Sequence, residues 1–175
     1  MKISVAKMAS AAVIAAIYAV LTLILAPISY GPIQFRISEV LCILPFFLPF
    51  STWGLFVGCI LANLLSAYGS VDVVLGSAAT LLAALTTMYI GKRSRSVFAT
   101  ALACLPPVVF NGVLVGAAIA FAETSESGFM AAFAINGIQV AVSEAVVMYI
   151  ITLPLAIWLG KAKFFQKLTA KYSEL

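Results

Sequence analysis

Long apolar runs dominate this chain, at about 8–26, 38–50, 52–68, 73–91, 97–122 and 129–159, and only short polar or turn-forming stretches separate them. A helix needs about 20 consecutive apolar residues to cross a hydrocarbon layer roughly 30 Å thick. The 175 residues therefore hold six candidate spans and leave no room for a separate soluble domain. At 64% hydrophobic and 9% charged residues, against roughly 25% charged in an ordinary soluble domain, the chain has more apolar surface than a soluble fold can cover. The expected fold is an all-α membrane protein, one domain over residues 1–175 built as a bundle of six transmembrane helices.

The second run is the weakest span. Its stretch from Val40 to Phe50 is short and carries Pro45 and Pro49, which suits a kinked, tilted or re-entrant segment whose backbone is covered by protein. The first run follows Lys2 and Lys7 and covers Met8 to Ala26. It exceeds the roughly 7–15 residues of a signal-peptide core, and so is expected to be a retained helix.

Six spans place Lys2, Lys7, the Lys92-Arg93-Ser94-Arg95 connection and the tail lysines Lys161, Lys163, Lys167 and Lys171 on one side, nine of the ten basic residues. Arg36, Glu39, Asp72, Glu123 and Glu126 fall on the other. The excess of Lys and Arg in cytoplasmic loops then sets both termini in the cytoplasm of a multi-pass protein of the bacterial plasma membrane. The same layout argues against nucleic acid as a partner for the +4 net charge, because nucleic-acid binders cluster their cations on a soluble face.

Small residues recur at four-residue spacing in Gly54, Gly58 and Ala62, in Gly112, Gly116 and Ala120, and in Gly137, Ala141 and Ala145. Such rows let helix backbones approach closely inside a bundle. The first helix has two adjacent rows, Ala11, Ala15 and Ala19 beside Ala12 and Ala16. That wider smooth face fits equally a neighbouring helix or a second protein.

Several chemistries are excluded. There is no histidine, and Cys42, Cys59 and Cys104 all lie inside apolar runs as small buried side chains, too few for a four-ligand zinc site. No metal or cofactor is expected. Gly91-Lys92 is followed by Arg93 and lacks the earlier glycine of a P-loop, so any energy from nucleotide hydrolysis must come from other subunits. No pair of matched halves with broken helices marks a self-sufficient transporter.

Polar groups within a membrane are costly and tend to face a cavity or solute path. Here they are Asn63 on the third run, Asn111 on the fifth, and Asn136, Gln139, Ser143 and Glu144 on the sixth. At 100° per residue Asn136, Gln139 and Ser143 make one narrow stripe, with Glu144 at its edge and about 12 Å deeper than Asn136. Pro106 and Pro107 precede Asn111 by about one turn and are expected to kink the fifth helix, opening space beside these groups. The outer loop from Tyr30 to Glu39 mixes turn formers, aromatics and opposite charges as a pocket lid would, and Arg36 and Glu39 are spaced to pair on a helical turn. Asp72, after Ser70 and before an apolar run, reads as a helix cap.

Together these features resemble the substrate-binding S component of an energy-coupling-factor transporter, in which a small six-helix membrane protein carries an A-x-x-x-A surface on its first helix. The run Gly31-Pro32-Ile33-Gln34-Phe35-Arg36-Ile37-Ser38-Glu39, followed by Leu44-Pro45 and by Gly54-Leu55-Phe56-Val57-Gly58-Cys59 with Asn63, is similar to the QueT family. The motifs cover about the first half of the chain, and the layout covers all of it. The resemblance implies uptake of a queuosine precursor, a deazaguanine base, with a transmembrane scaffold subunit and two ATPase subunits as partners in the lipid membrane. It implies a substrate site among Gln34, Arg36, Glu39, Asn63, Asn111, Asn136, Gln139 and Glu144, with Phe35, Tyr68 or Phe110 offering a ring face. It also implies a partner interface at Ala11, Ala12, Ala15, Ala16 and Ala19.

An S component for another vitamin-like solute uses the same frame. A membrane-embedded enzyme would have to work through Glu144, Glu39 or Asp72 with no evident nucleophile–base pair, and a purely structural assembly subunit would bind no solute. The charge asymmetry predicts that a cysteine label placed at Ser94 is reached only from the cytoplasm and one at Ser125 only from outside. Labelling of both from one side would remove the fifth span.

Overall fold

The structure, a computed structural model, describes residues 4–30, 34–66, 68–122 and 128–174. Lys2, Gly31 to Ile33 of the outer loop, and Glu123, Ser125 and Glu126 lie outside them. Among the described residues the chain is helical throughout and has no strand.

Helix α1, Val5–Ile24, starts where the Ser4 hydroxyl accepts the Lys7 backbone N–H at 3.3 Å and ends ahead of Pro27. A short turn, Ala26–Ser29, follows it. Helix α2 runs over Ile37–Phe47, first as a 3-10 segment, Ile37–Ile43, and then as one α-helical turn, Leu44–Phe47, with Pro45 in that turn. Helix α3 is Ser51–Asn63, α4 is Gly69–Arg93, α5 is Val97–Ala122 and α6 is Phe129–Lys161.

Four of these, α1, α4, α5 and α6, are long and apolar enough to cross a membrane. The 11 residues of α2 and 13 of α3 reach about 20 Å each, short of a hydrocarbon core of roughly 30 Å. Within the sequence runs 38–50 and 52–68 the described residues thus form two short helices, and among the described residues four helices have full spanning length. The apolar residues beyond Asn63 leave the helix at Leu64 and Leu65.

A further helix, α7, Lys163–Glu174, is absent from the sequence expectation, which treats the segment as a basic tail. Lys163, Lys167 and Lys171 share its polar face, while Phe165 and Tyr172 turn inward. The Phe165 ring meets Phe47 edge-on at 5.2 Å, the Tyr172 ring lies 4.8 Å from Phe50, and the Tyr172 hydroxyl is hydrogen-bonded to Ser10. Helix α7 is therefore fastened across the basic end of the bundle.

The small-residue rows are packing surfaces. Gly54 faces the Ala11 backbone, and Gly58 faces Ala15 and Tyr18, where a Cβ on Gly58 would lie 2.7 Å from the Ala15 carbonyl oxygen. Gly112 and Gly116 sit in the same way against Gly137 and Ala141 between α5 and α6. This contact takes up part of the alanine face of α1. Ala15 and Ala19 are buried within the chain and Ala11 is half-buried over α3, so that only Ala12 and Ala16 remain on an outward face.

Replacing Gly58 with isoleucine should lower the apparent Tm of the detergent-solubilised protein, since overpacking a closed helix contact costs about 1–3 kcal/mol. An unchanged Tm, measured by thermal unfolding, would mean that α1 and α3 are not in close contact.

Candidate functional site

The polar residues of the loop before α2 turn into the bundle. Gln34, Phe35 and Arg36 occupy a non-helical stretch in which successive side chains point to opposite sides, so Gln34 and Arg36 are buried while Phe35 is 36% exposed. The Phe35 N–H donates to the Ile28 carbonyl at 2.7 Å, and the Tyr30 hydroxyl donates to the Ala62 carbonyl at 2.7 Å. The loop is thereby tied down over the ends of α1 and α3, and the Arg36 guanidinium lies 5.8 Å from the centre of the Tyr30 ring.

Gln34 and Arg36 meet Asn111 and Val115 of α5 and Val140 and Glu144 of α6 around one cavity. The cavity's volume is about 10 Å³, room for about one water molecule. Four of the eight expected site residues are thus brought together from three separate parts of the chain. Asn111 and Glu144 face the same cavity across the α5–α6 contact.

Helix irregularity positions both residues. A π-helical segment, Asn111–Val115, begins at Asn111, and a second, Val146–Thr152, begins two residues after Glu144. Pro106 and Pro107 lie just upstream of the first, where the sequence predicts a disturbance. Pro154, in the turn after the second, removes a backbone donor in the same way. Segments of this kind recur at functional sites because they displace side chains from the regular helical phase.

Several polar atoms at this site have no hydrogen-bond partner although they are buried. They are Nε and Nη2 of Arg36, Oδ1 of Asn111 and Oε1 of Glu144, with Oε1 of Gln139 a further case on α6. A buried polar atom left unpaired costs about 1–3 kcal/mol. The cavity-lining residues thus carry two unpartnered donor atoms, on Arg36, and two unpartnered acceptors, on Asn111 and Glu144, which suits a polar ligand.

The other expected residues lie elsewhere. Glu39 is fully buried, but its carboxylate accepts from the Tyr18 hydroxyl and from Cys42 Sγ, the latter at 2.7 Å, so it joins α1 to α2. Its side chain therefore does not form the expected helical-turn pair with Arg36. The two are linked only through the backbone, Glu39 N–H to the Arg36 carbonyl at 2.9 Å. Asn63 donates to the Asp72 carbonyl at 3.1 Å and to Cys59 Sγ at 3.4 Å, a tie between α3 and α4.

Asn136 is buried outside the cavity lining, and Ser143 returns its hydroxyl to the Gln139 and Val140 carbonyls at 2.8 and 3.1 Å. The wall facing the cavity is Val140 and Glu144, one turn apart, rather than the stripe of Asn136, Gln139 and Ser143. Asp72 is not a cap. It lies in the first turn of α4, is 1% exposed, and is within electrostatic reach of Arg36. Of the expected ring faces, Tyr68 and Phe110 pack beside Val115 and Val140, whereas Phe35 turns away. Cys42 and Cys59 do more than fill space, since Cys42 donates to Glu39, and Cys59 accepts from Thr80 at 3.2 Å.

An apolar helical bundle with a small polar cavity between its helices fits a membrane transporter. Residues 8–161 match the model of the QueT transporter family, and the chain belongs to that family. It is also similar to a queuosine precursor transporter QueT from Lactococcus lactis subsp. cremoris (strain MG1363), with 44% identity over 72 residues, 40% of this chain and 42% of that protein. The aligned region thus spans less than half of that relative's length. No solved structure matches the chain.

Proposed function

We propose that the protein is the substrate-binding S component of an energy-coupling-factor transporter and that it imports a queuosine precursor of the deazaguanine type. The observation that carries this reading is the set of unpartnered buried atoms around one cavity in a chain of the QueT transporter family. A guanine-like edge presents two adjacent N–H donors and a carbonyl acceptor. The Glu144 carboxylate complements the donors, the Arg36 N–H groups complement the carbonyl, and Gln34 and Asn111 supply the remaining amide contacts. Tyr68 and Phe110, packed behind Val115 and Val140, back the ring plane. Because the cavity has room for only about one water, a base enters by displacing the Gln34–Arg36 segment.

In this reading both termini are cytoplasmic and the cavity lies in the outer half of the bundle. The relative's name supports the substrate class. No P-loop is present in the sequence, so two ATPase subunits and a transmembrane scaffold subunit supply the energy and the path. The outward pair Ala12 and Ala16 is the part of the alanine face available to that scaffold.

The test of the site is calorimetric titration of folded variants with a deazaguanine precursor, with a flavin as the control solute. Glu144→Gln and Asn111→Ala should each weaken binding at least about tenfold, which corresponds to about 1.4 kcal/mol. Wild-type indifference to every deazaguanine would discard the substrate. Unchanged affinity in both variants would discard the residues. The test of the partner face is co-purification. Ala12→Trp with Ala16→Trp should abolish assembly with the scaffold subunit and leave solute affinity within about twofold, and loss of binding with assembly intact would contradict this division.

A further inference from the structure

A second, much larger cavity opens at the opposite, basic end of the bundle and plays no part in the solute site. It has a volume of about 720 Å³, in the upper part of the roughly 300–1,000 Å³ typical of a ligand pocket. Three cations line it, Lys7 in the first turn of α1, Lys92 in the last turn of α4, and Arg95 in the connection to α5, and no carboxylate does.

Of the three cations, Arg95 is held by its surroundings. The Arg95 guanidinium lies 5.2 Å from the centre of the Phe46 ring and 5.5 Å from that of Phe47, and its Nε donates to the Gly91 carbonyl at 2.8 Å. Partial burial lowers its pKa from the ordinary value, yet a guanidinium remains charged in proteins. Beyond the cations the wall is apolar. Leu85, Met88 and Lys92 follow one face of α4, so the wall runs about 10 Å from the charged rim into the apolar zone. Met8 and Trp53, 59% and 55% exposed, continue it on α1 and α3. Thr169, Tyr172 and Ser173 of α7 close the remaining side. Outside the groove, α7 exposes Phe164 and Leu168 as well as its lysines, the character of a helix lying in a membrane interface.

We infer that this groove is a binding site for one anionic phospholipid, its phosphate among Lys7, Lys92 and Arg95 and its acyl chains along Met8, Trp53, Leu85 and Met88. Cations at the ends of spanning helices sit at headgroup depth, and the apolar wall leads from them in the direction the acyl chains take. The uniformly positive rim selects an anionic headgroup over a zwitterionic one.

The experiment uses the full chain with Trp158→Phe, which leaves Trp53 as the single tryptophan. Its fluorescence is quenched by titrating phospholipids brominated on their acyl chains into detergent micelles. Brominated phosphatidylglycerol should reach half-quenching at a mole fraction about tenfold below brominated phosphatidylcholine. Lys92→Gln with Arg95→Gln should erase that difference. Arg93→Gln should keep it, because Arg93 is engaged with Tyr89, outside the groove. Should the double variant fail to fold by thermal unfolding, Lys92→Gln alone decides, with the preference cut about threefold.

Equal quenching by the two lipids in the parent, or a preference that survives the groove variants, would overturn the lipid site. Displacement of phosphatidylglycerol by soluble glycerol phosphate at comparable concentration would reduce it to a free-anion site. Loss of lipid quenching on adding the scaffold subunit, with no lipid preference in the isolated chain, would assign the groove to a protein contact instead.

Discussion

The cost of an unpaired polar group in an apolar interior governs this structure. Most of the buried polar side chains meet that cost locally. Thr22 bonds to the Tyr18 carbonyl and to Ser38, Asn63 bridges α3 to α4, Thr87 reaches across to the Ala103 carbonyl, and Glu39 is held by Tyr18 and Cys42. These ties join helices whose apolar faces alone would pack against lipid as readily as against each other. Unpartnered buried atoms remain on Ser29, Thr52, Asn63, Asp72 and Ser77 as well as on Arg36, Asn111 and Glu144, and the last three are the ones that share a cavity.

Much of this was legible in the sequence, because a membrane chain has few ways to hide polar groups. The all-helical fold and the long apolar helices over 73–91, 97–122 and 129–159 follow from hydropathy, and Gln34, Arg36, Asn111 and Glu144, polar candidates in the sequence, line one cavity. The shortening of α2 and α3 was not legible to the same degree. Hydropathy continues through Leu64 and Leu65 although the helix stops, and it does not register that a 3-10 segment begins at Ile37.

What hydropathy leaves open is settled by tertiary contacts. Asn63, Glu39 and Asp72 have the same intramembrane cost as the cavity residues, and only the positions of Cys59, Tyr18 and Cys42 show that Asn63 and Glu39 are bound within the chain. The alanine rows of α1 looked equivalent until Gly54 and Gly58 took up one of them. Helix α7 carries a signal that was available, lysines four apart with Phe165, Leu168 and Tyr172 between them. Counting its charges for orientation concealed its period.

The two π-helical segments, Asn111–Val115 and Val146–Thr152, have one more consequence. A π turn contains an extra residue relative to an α turn, so the stretches on either side of it are out of phase by about 100°. Such a turn can pass along a helix by exchanging one carbonyl acceptor for the next, without unwinding the helix or separating it from its neighbours. Asn111 stands at the boundary of one such turn and Glu144 just ahead of the other, and both line one cavity. A solute in the proposed site would therefore rest where each of the two helices has a turn able to shift its register.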